Sequence, residues 1–384
     1  MRLQVRPAAL LAIVAVVACA PAAPPPEPPP PAAFDWSLPP GFPEPAVPPT
    51  NAMSPAKVEL GRHLFYDVRL SANRSTACAS CHRQELAFTD GRARAIGSTG
   101  ARHPRSAMSL ANVAYNATLT WADPRLLTLE DQIRVPLFNE SPVELGVAGN
   151  EAKVLARLRE VPRYRELFRA AFPDAAEPIV IDGVIRALAA FARTLISGDS
   201  AYDRLVYRDE RTGLSASALR GMRLFFSERT GCASCHAGFN FSGPVRYRGL
   251  REVEPVFHNT GLYNLQGRGL YPAQSPGLVA FTGRVEDTGR FRAPTLRNVE
   301  LTAPYMHDGS VPTLGEVIDH YAAGGRGAGG PGGARSPYTS SLVAGFRLTA
   351  AEREDLVRFL ASLTDRSFVS NPRFASPSSD LIHK

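Results

Sequence analysis

Long apolar runs are nearly absent from this 384-residue chain. Only Ala8 to Ala20 approaches membrane character, and it is too short to cross a bilayer. Arg2 and Arg6 precede it, the order of a secretory signal peptide, so an exported protein without a spanning helix is expected. Cysteine is scarce at five residues, and tryptophan scarcer at two. Strand patterns are weak throughout, which points to a mainly α class. The net charge is +7, yet the arginines are scattered, without a basic block or a basic–aromatic alternation. That argues against a nucleic-acid partner. The glycine-rich stretch Gly324 to Gly333 lacks both a preceding strand and a following Gly-Lys-Ser/Thr, so it reads as a mobile loop and not as a phosphate cradle. With 44% apolar and 21% charged residues, the chain can fold as one large or two medium globular domains.

Four of the five cysteines form two identical pentapeptides, Cys78-Ala-Ser-Cys81-His82 and Cys232-Ala-Ser-Cys235-His236. Paired C-x-x-C alone would admit a redox dithiol or a zinc site. The histidine that follows each pair decides the matter. In C-x-x-C-H the two thiols bond the vinyl groups of a haem, and the adjacent imidazole becomes the proximal iron ligand. Two haem c groups are expected, on Cys78, Cys81 and His82 and on Cys232, Cys235 and His236. Their four propionates call for cations, and Arg102, Arg105, Arg246, Arg292 and Arg297 are candidates. The fifth cysteine ends Val16-Val17-Ala18-Cys19, which resembles a bacterial lipobox. Cleavage there would leave a lipid-modified Cys19 that anchors a periplasmic protein to a membrane.

Organisation follows from this. Residues 1–19 read as a lipoprotein-type signal peptide. Residues 20–53 read as a proline-rich tether and extension, the run Pro21 to Pro31 being stiff and extended. Folding is expected to begin at Ser54-Pro55, a cap residue followed by proline in the first turn. Gly61-Arg-His-Leu-Phe-Tyr66 precedes the first haem motif and Gly221-Met-Arg-Leu-Phe-Phe226 the second, an internal repeat. The repeat implies two cytochrome c-like haem domains, 54–200 and 201–369, with a polar tail at 370–384. A helical connecting segment runs from about Glu151 to Ser197, where Ile181, Val184, Ile185, Leu188 and Leu195 keep helical spacing and Gly198 closes it. Helices are also expected at Thr313 to Tyr321 and Thr349 to Leu363, the latter opened by a capping box, Thr349 with Glu352.

The stretch from Phe291 to Ser310, containing Ala303-Pro-Tyr-Met-His-Asp-Gly309, resembles the MauG and di-haem cytochrome c peroxidase superfamily. The likeness runs from about Ser54 to Asp365. It implies a peroxide-reactive first haem and a six-coordinate second haem. The second distal ligand falls at Tyr321, where peroxidases have methionine and MauG-type enzymes tyrosine; Met306 and His320 compete for that role. A phenolate oxygen favours oxidised iron more than a thioether does. By spacing alone Tyr321 is equally a core residue, closing a stripe with Leu314, Val317 and Ile318. The resemblance further implies that Trp121 relays oxidising equivalents between the haems and that Gln132 and Glu144 serve the distal pocket. Two extra residues within Phe138 to Ser141 disturb the spacing to Glu144. His307 matches a family histidine that stands beside the ligands and is not one of them. Thr302 and Pro304 match positions whose carbonyls hold a calcium ion between the haems, although Ser106 stands where the family has an asparagine. His103 reads as a loop histidine.

Phe34 to Phe42, Arg105 to Tyr115 and Phe257 to Asn264 are similar to a narrower group, the MbnH-type enzymes. That likeness implies that hydrogen peroxide generates a high-valent two-haem state, which oxidises a tryptophan to kynurenine on a small exported MbnP-like partner in copper homeostasis. The alternative is a di-haem peroxidase that reduces peroxide with electrons from a small redox donor protein.

Overall fold

The computed structural model describes residues 34–250, 253–326 and 335–377. The signal peptide, Cys19, the proline run, most of the glycine-rich loop and the last seven residues lie outside the described residues. Helix α1 (Pro55–Tyr66) starts as the sequence requires: Ser54 Oγ accepts the Lys57 N–H at 3.2 Å, and Pro55 fills the first turn. Next come a one-turn helix over the first haem motif, α2 (Cys78–Cys81), then α3 (Leu129–Phe138), α4 (Glu151–Glu160), α5 (Pro162–Ala171) and α6 (Ile181–Arg193). The second half holds α7 (Ala201–Arg208), α8 (Ala216–Phe225), α9 (Val279–Thr282), α10 (Leu314–Ala322), α11 (Ala350–Ala361) and α12 (Arg366–Val369). Among the described residues the only sheet is a two-residue antiparallel pair, β1 (His258–Asn259) with β2 (Arg290–Phe291). No described helix is long and apolar enough to cross a membrane.

The repeat is visible as two equivalent helix crossings. Helix α1 packs across α6 at Gly61, where a Cβ would sit 2.0 Å from the Ala187 carbonyl oxygen. Helix α8 packs across α11 at Gly221, where a Cβ would sit 1.9 Å from that of Asp355. Only glycine lets the backbones approach so closely. Each crossing nucleates a core. The first gathers Leu60, Leu64, Phe65, Phe88, Leu188 and Phe191; the second gathers Phe225, Phe241, Leu356 and Phe359. The expected helical segment is present as α4, α5 and α6, but all three pack into the first core, and α6 does there what α11 does in the second.

Three boundaries differ from expectation. Helix α6 ends at Arg193, before Gly198, because residues 195–199 are held by side chains from elsewhere. Asn112 binds both the Ser197 N–H and carbonyl, and Asp365 Oδ2 accepts the Gly198 and Asp199 N–H groups at 3.0 Å each. Packing also begins before Ser54: the Phe42 ring meets Tyr115, Tyr207 and Phe239, with the Arg297 guanidinium 4.8 Å from its centroid. Finally, residues 366–375 return to the first core. Phe368 and Phe374 are buried in it, and Tyr66 donates to the Phe374 carbonyl at 2.7 Å. Apolar side chains at long sequence separation drive both additions.

Candidate functional site

Each haem motif ends in a tight turn that aims its histidine inward. All four thiols are free of disulfides. His82 Nδ1 lies 2.8 Å from the Phe88 carbonyl oxygen, and His236 Nδ1 lies 3.1 Å from that of Phe241. Both phenylalanines are fully buried, so the carbonyls are fixed. A carbonyl that takes the Nδ1 proton sets the tautomer and leaves Nε2 as donor to a metal. Burial lowers the pKa of both imidazoles, that of His236 to about 4, which favours the neutral, ligating form.

Around the second motif lies a cavity of about 310 Å³, roughly twenty times what one enclosed water needs. Cys232, Cys235, His236, Met306 and Tyr321 line it, together with Leu314, Val317 and Ile318 from the same face of α10. Helix α10 starts with a full capping box, Thr313 with Glu316, which fixes its rotation. Burial raises the Tyr321 phenol above its ordinary pKa, and the neighbouring Cys235 and Cys232 add to the rise. His320 faces elsewhere: its Nε2 meets the Thr260 carbonyl at 2.9 Å and it does not line the cavity. Met306 lines the cavity and packs against the cluster of Ala122, Leu262, Tyr271, Phe291 and Val311.

The cavity continues to Thr89 and Met108, and the Met108 carbonyl acts on the His82 ring. Trp121 lines this stretch and donates from Nε1 to the Ser106 carbonyl at 3.1 Å. His307 is buried and stacks on Phe291 at 3.8 Å, with Trp121 edge-on at 6.4 Å; its Nε2 has no hydrogen-bond partner. Burial lowers its pKa to about 4. Ser106, Thr302 and Pro304 line the same cavity, and the Ser106 hydroxyl donates to the Met306 carbonyl at 3.2 Å. Arg292 is 8% exposed and lines the cavity with no carboxylate partner among the described residues; its Nε donates to the Thr120 carbonyl. Desolvation lowers its pKa to about 10. A buried guanidinium of this kind suits a propionate.

The two residues expected in a distal pocket both lie in the first half of the chain. Gln132 stands on α3, and among the described residues its buried Oε1 has no hydrogen-bond partner. Glu144 follows a turn in which Glu140 and Val143 bridge and the Asn139 side chain donates to the Pro142 carbonyl. The extra residues are absorbed in that turn. Main-chain bonds then set the register: Leu145 N–H to Pro136 O at 2.9 Å, Ser98 N–H to Glu144 O at 2.8 Å, and Ala72 N–H to Leu145 O at 2.8 Å. Glu144 Oε1 lies 3.3 Å from His103 Nε2. Its side chain is 31% accessible. Neighbouring chain nonetheless crowds the carboxyl, and desolvation pushes its pKa up to about 7; both motif thiols, Cys78 and Cys81, feel its charge. The family resemblance puts His103 near where some peroxidases carry a distal histidine, but its register is off, so it reads as a loop residue; the contact with Glu144, 41 positions away, is made only by the fold.

The propionate candidates divide. Arg297 is committed elsewhere, because its fork holds both oxygens of buried Asp203 at 2.8 Å and it donates to the Phe239 carbonyl. It therefore ties α7 to the second motif's exit and is not free for a propionate. Arg102 is exposed, Arg246 donates to the Leu127 carbonyl, and Arg105 donates to Ser275 Oγ at 3.0 Å. Arg292 is the candidate that lines the cavity.

Two thioether-type attachment sites, each with an oriented histidine, and a cavity around the second of them lined by an indole define a di-haem c-type protein of cytochrome c-like fold. A family model described as di-haem cytochrome c peroxidase matches residues 55–211, and a RoxA-like, cytochrome c-like model matches 290–322. The methylamine utilization protein MauG of Methylorubrum extorquens is 36% identical over 318 residues, covering 82% of this chain and 80% of that protein. A cytochrome-c peroxidase of Denitromonas iodatirespirans is 35% identical, covering 87% and 88%. The crystal structure of a MauG-like protein associated with microbial copper homeostasis is 48% identical, with TM-score 0.86, covering 90% of this chain and 99% of that one. The di-haem peroxidase BthA of Burkholderia thailandensis shares the fold at 23% identity, with TM-score 0.61. The chain belongs to the MauG and di-haem cytochrome c peroxidase family, a family of peroxide-dependent oxidoreductases carrying two haem c groups.

Proposed function

We propose that this protein is a MauG-like oxidase that uses hydrogen peroxide to oxidise a tryptophan, to kynurenine, on a small exported MbnP-like partner. The observation that carries the reading is the phenol of Tyr321 on the cavity wall with His236, where a peroxidase would carry a thioether. The likeness to a MauG-like protein associated with copper homeostasis supports it. Cys78, Cys81 and His82 would hold the first haem, and Cys232, Cys235, His236 and Tyr321 the second. When bound, the two haems supply the iron that meets peroxide and the store for its oxidising power. Glu144 moves a proton from the inner to the outer peroxide oxygen, and Gln132 orients the peroxide through its free amide. His103 stands beside the Glu144 carboxyl. Trp121, tied to Ser106, keeps an oxidisable indole between the two sites. Arg292 neutralises a propionate, and the main chain at Thr302 and Pro304 holds a calcium ion. The mature protein is exported to the periplasm and anchored through a lipid on Cys19.

The second reading, a peroxidase drawing electrons from a small redox protein, is favoured by Met306 on the same cavity wall. One experiment separates them. The purified di-haem protein is mixed with peroxide and the candidate partner, and the partner's peptides are analysed by mass spectrometry. Conversion of its tryptophan to kynurenine is expected. An unmodified partner, with peroxide consumed only when a reduced cytochrome or cupredoxin is added, would transfer the case to the peroxidase.

A further inference from the structure

An oxidase whose substrate is another protein needs a path from the haems to its surface. The aromatic groups around Trp121 show where a path can go. The His307 ring lies 6.4 Å from the Trp121 centroid and 6.4 Å from that of Tyr263. Tyr263 is partly exposed, on the segment before the turn that carries exposed Leu265 and Leu270. Its hydroxyl donates to Asp308 Oδ2, whose other oxygen accepts the Ser310 N–H at 3.1 Å. Burial opposes ionisation of Asp308, but the bonds from Tyr263 and Ser310 and the nearby His307 hold its pKa below the ordinary value, so it is a carboxylate. Arg94 and Arg326 are the cations facing the phenol.

We propose that Tyr263, with Asp308 as its proton acceptor, is the surface end of the route by which oxidising equivalents leave the haem pair. The inference rests on the oxidase reading above and names the exit it requires. One electron passes from Tyr263 through His307 and Trp121 toward the haems, and the phenolic proton moves to Asp308 Oδ2. The resulting phenoxyl is restored by one electron from an oxidisable aromatic residue of the docked protein, with the proton returning from Asp308. One peroxide accepts two electrons and two protons to give two waters, so two such turns supply its electrons, while the two protons come through solvent from the oxidised aromatic residues of the docked protein.

Proton management singles out this tyrosine. Tyr271 lies closer to His307, at 6.2 Å, but donates to the Asn259 amide oxygen and is buried, so its proton has no base to take it. Tyr164 has a carboxylate partner, Asp67, at 2.6 Å, yet it is sealed in the first core, and its ring contact is with Phe168, not Trp121.

The test is freeze-quench electron paramagnetic resonance on the holoprotein after peroxide addition without a partner, using ring-deuterated tyrosine to identify the radical. The wild type should give a tyrosyl signal. It should be lost in Tyr263→Phe, retained in Tyr271→Phe, and strongly diminished in Asp308→Asn, which keeps the hydrogen bond but not the base. Peptide mapping after repeated peroxide exposure should find oxidation at Tyr263. A signal that survives Tyr263→Phe, or a wild type whose Soret band responds to peroxide without any tyrosyl signal, overturns the exit alone. A Soret band indifferent to peroxide overturns both this inference and the oxidase reading.

Discussion

Replacing Glu144 with glutamine removes an ionisable group while keeping the shape that three main-chain bonds hold in place. Desolvation pushes the Glu144 carboxyl from 4.5 up to about 7. To accept a proton from peroxide the group must be ionised, so the rate of the peroxide reaction should rise with pH through about 7. One unit below that midpoint about a tenth of the molecules carry the carboxylate, and one unit above about nine-tenths do, so the rate should climb roughly tenfold across the interval. Glu144→Gln should flatten the profile and slow the reaction ~10²–10⁴-fold, about 3–5 kcal/mol in barrier. Stopped-flow absorbance at the Soret band, from about pH 5.5 to about pH 8.5, measures both. His103→Phe removes the neighbour at 3.3 Å, which makes no hydrogen bond to the carboxyl, and should leave the midpoint at about 7 because desolvation alone sets it. A wild-type midpoint near the ordinary carboxylate value, or a glutamine variant within threefold of wild type that keeps the same profile, would refute the reasoning.

Four other outcomes follow from the geometry. Tyr321→Met should retain both haems by pyridine haemochrome assay, lose oxidation of the partner, and gain peroxidase turnover with a reduced donor; unchanged partner oxidation would remove Tyr321 from the mechanism. Trp121→Phe should slow oxidation of the partner by at least about tenfold, a loss of about 1.4 kcal/mol in the rate-limiting transfer, while leaving haem content intact. Gly61→Ala and Gly221→Ala each force a methyl into a carbonyl at 2.0 and 1.9 Å, so each should lower stability by ~1–3 kcal/mol or more in denaturant titration. A wild-type midpoint in either would contradict the crossings. Arg297→Met strands the buried Asp203 carboxylate and should cost about 3–5 kcal/mol. Hydrogen bonds from Arg297 and Ser200 outweigh desolvation and hold the Asp203 pKa below 3.8. In the wild type, therefore, this pair stabilises the fold above the ordinary carboxylate pKa, and that contribution disappears as pH falls through the depressed value. Urea titrations at neutral and acidic pH should show the variant's deficit shrinking in acid.

Local features were legible in the sequence because they act over a few residues. Ser54-Pro55, Thr313 and Thr349 cap helices through bonds three positions along the chain, and the structure has all three caps. The repeated glycine of Gly61 and Gly221 was readable as a repeat, though its reason, a carbonyl on a helix more than a hundred residues away, was not. Arg297 shows the limit. Its sequence neighbourhood fits a propionate partner as well as a carboxylate, and only the fold places Asp203 under its fork.

The sequence by itself determined the two haem attachments, the mainly helical class and the family, since these reside in covalent chemistry and short-range hydrogen bonding. Tertiary structure alone decided that His103 stands beside Glu144, that Arg292 lines the cavity, and that Phe42 and Phe374 close the body at both ends. It also paired Tyr263 with Asp308. These are meetings of residues distant in the chain, set by which apolar surfaces must leave water together, and no local pattern encodes them.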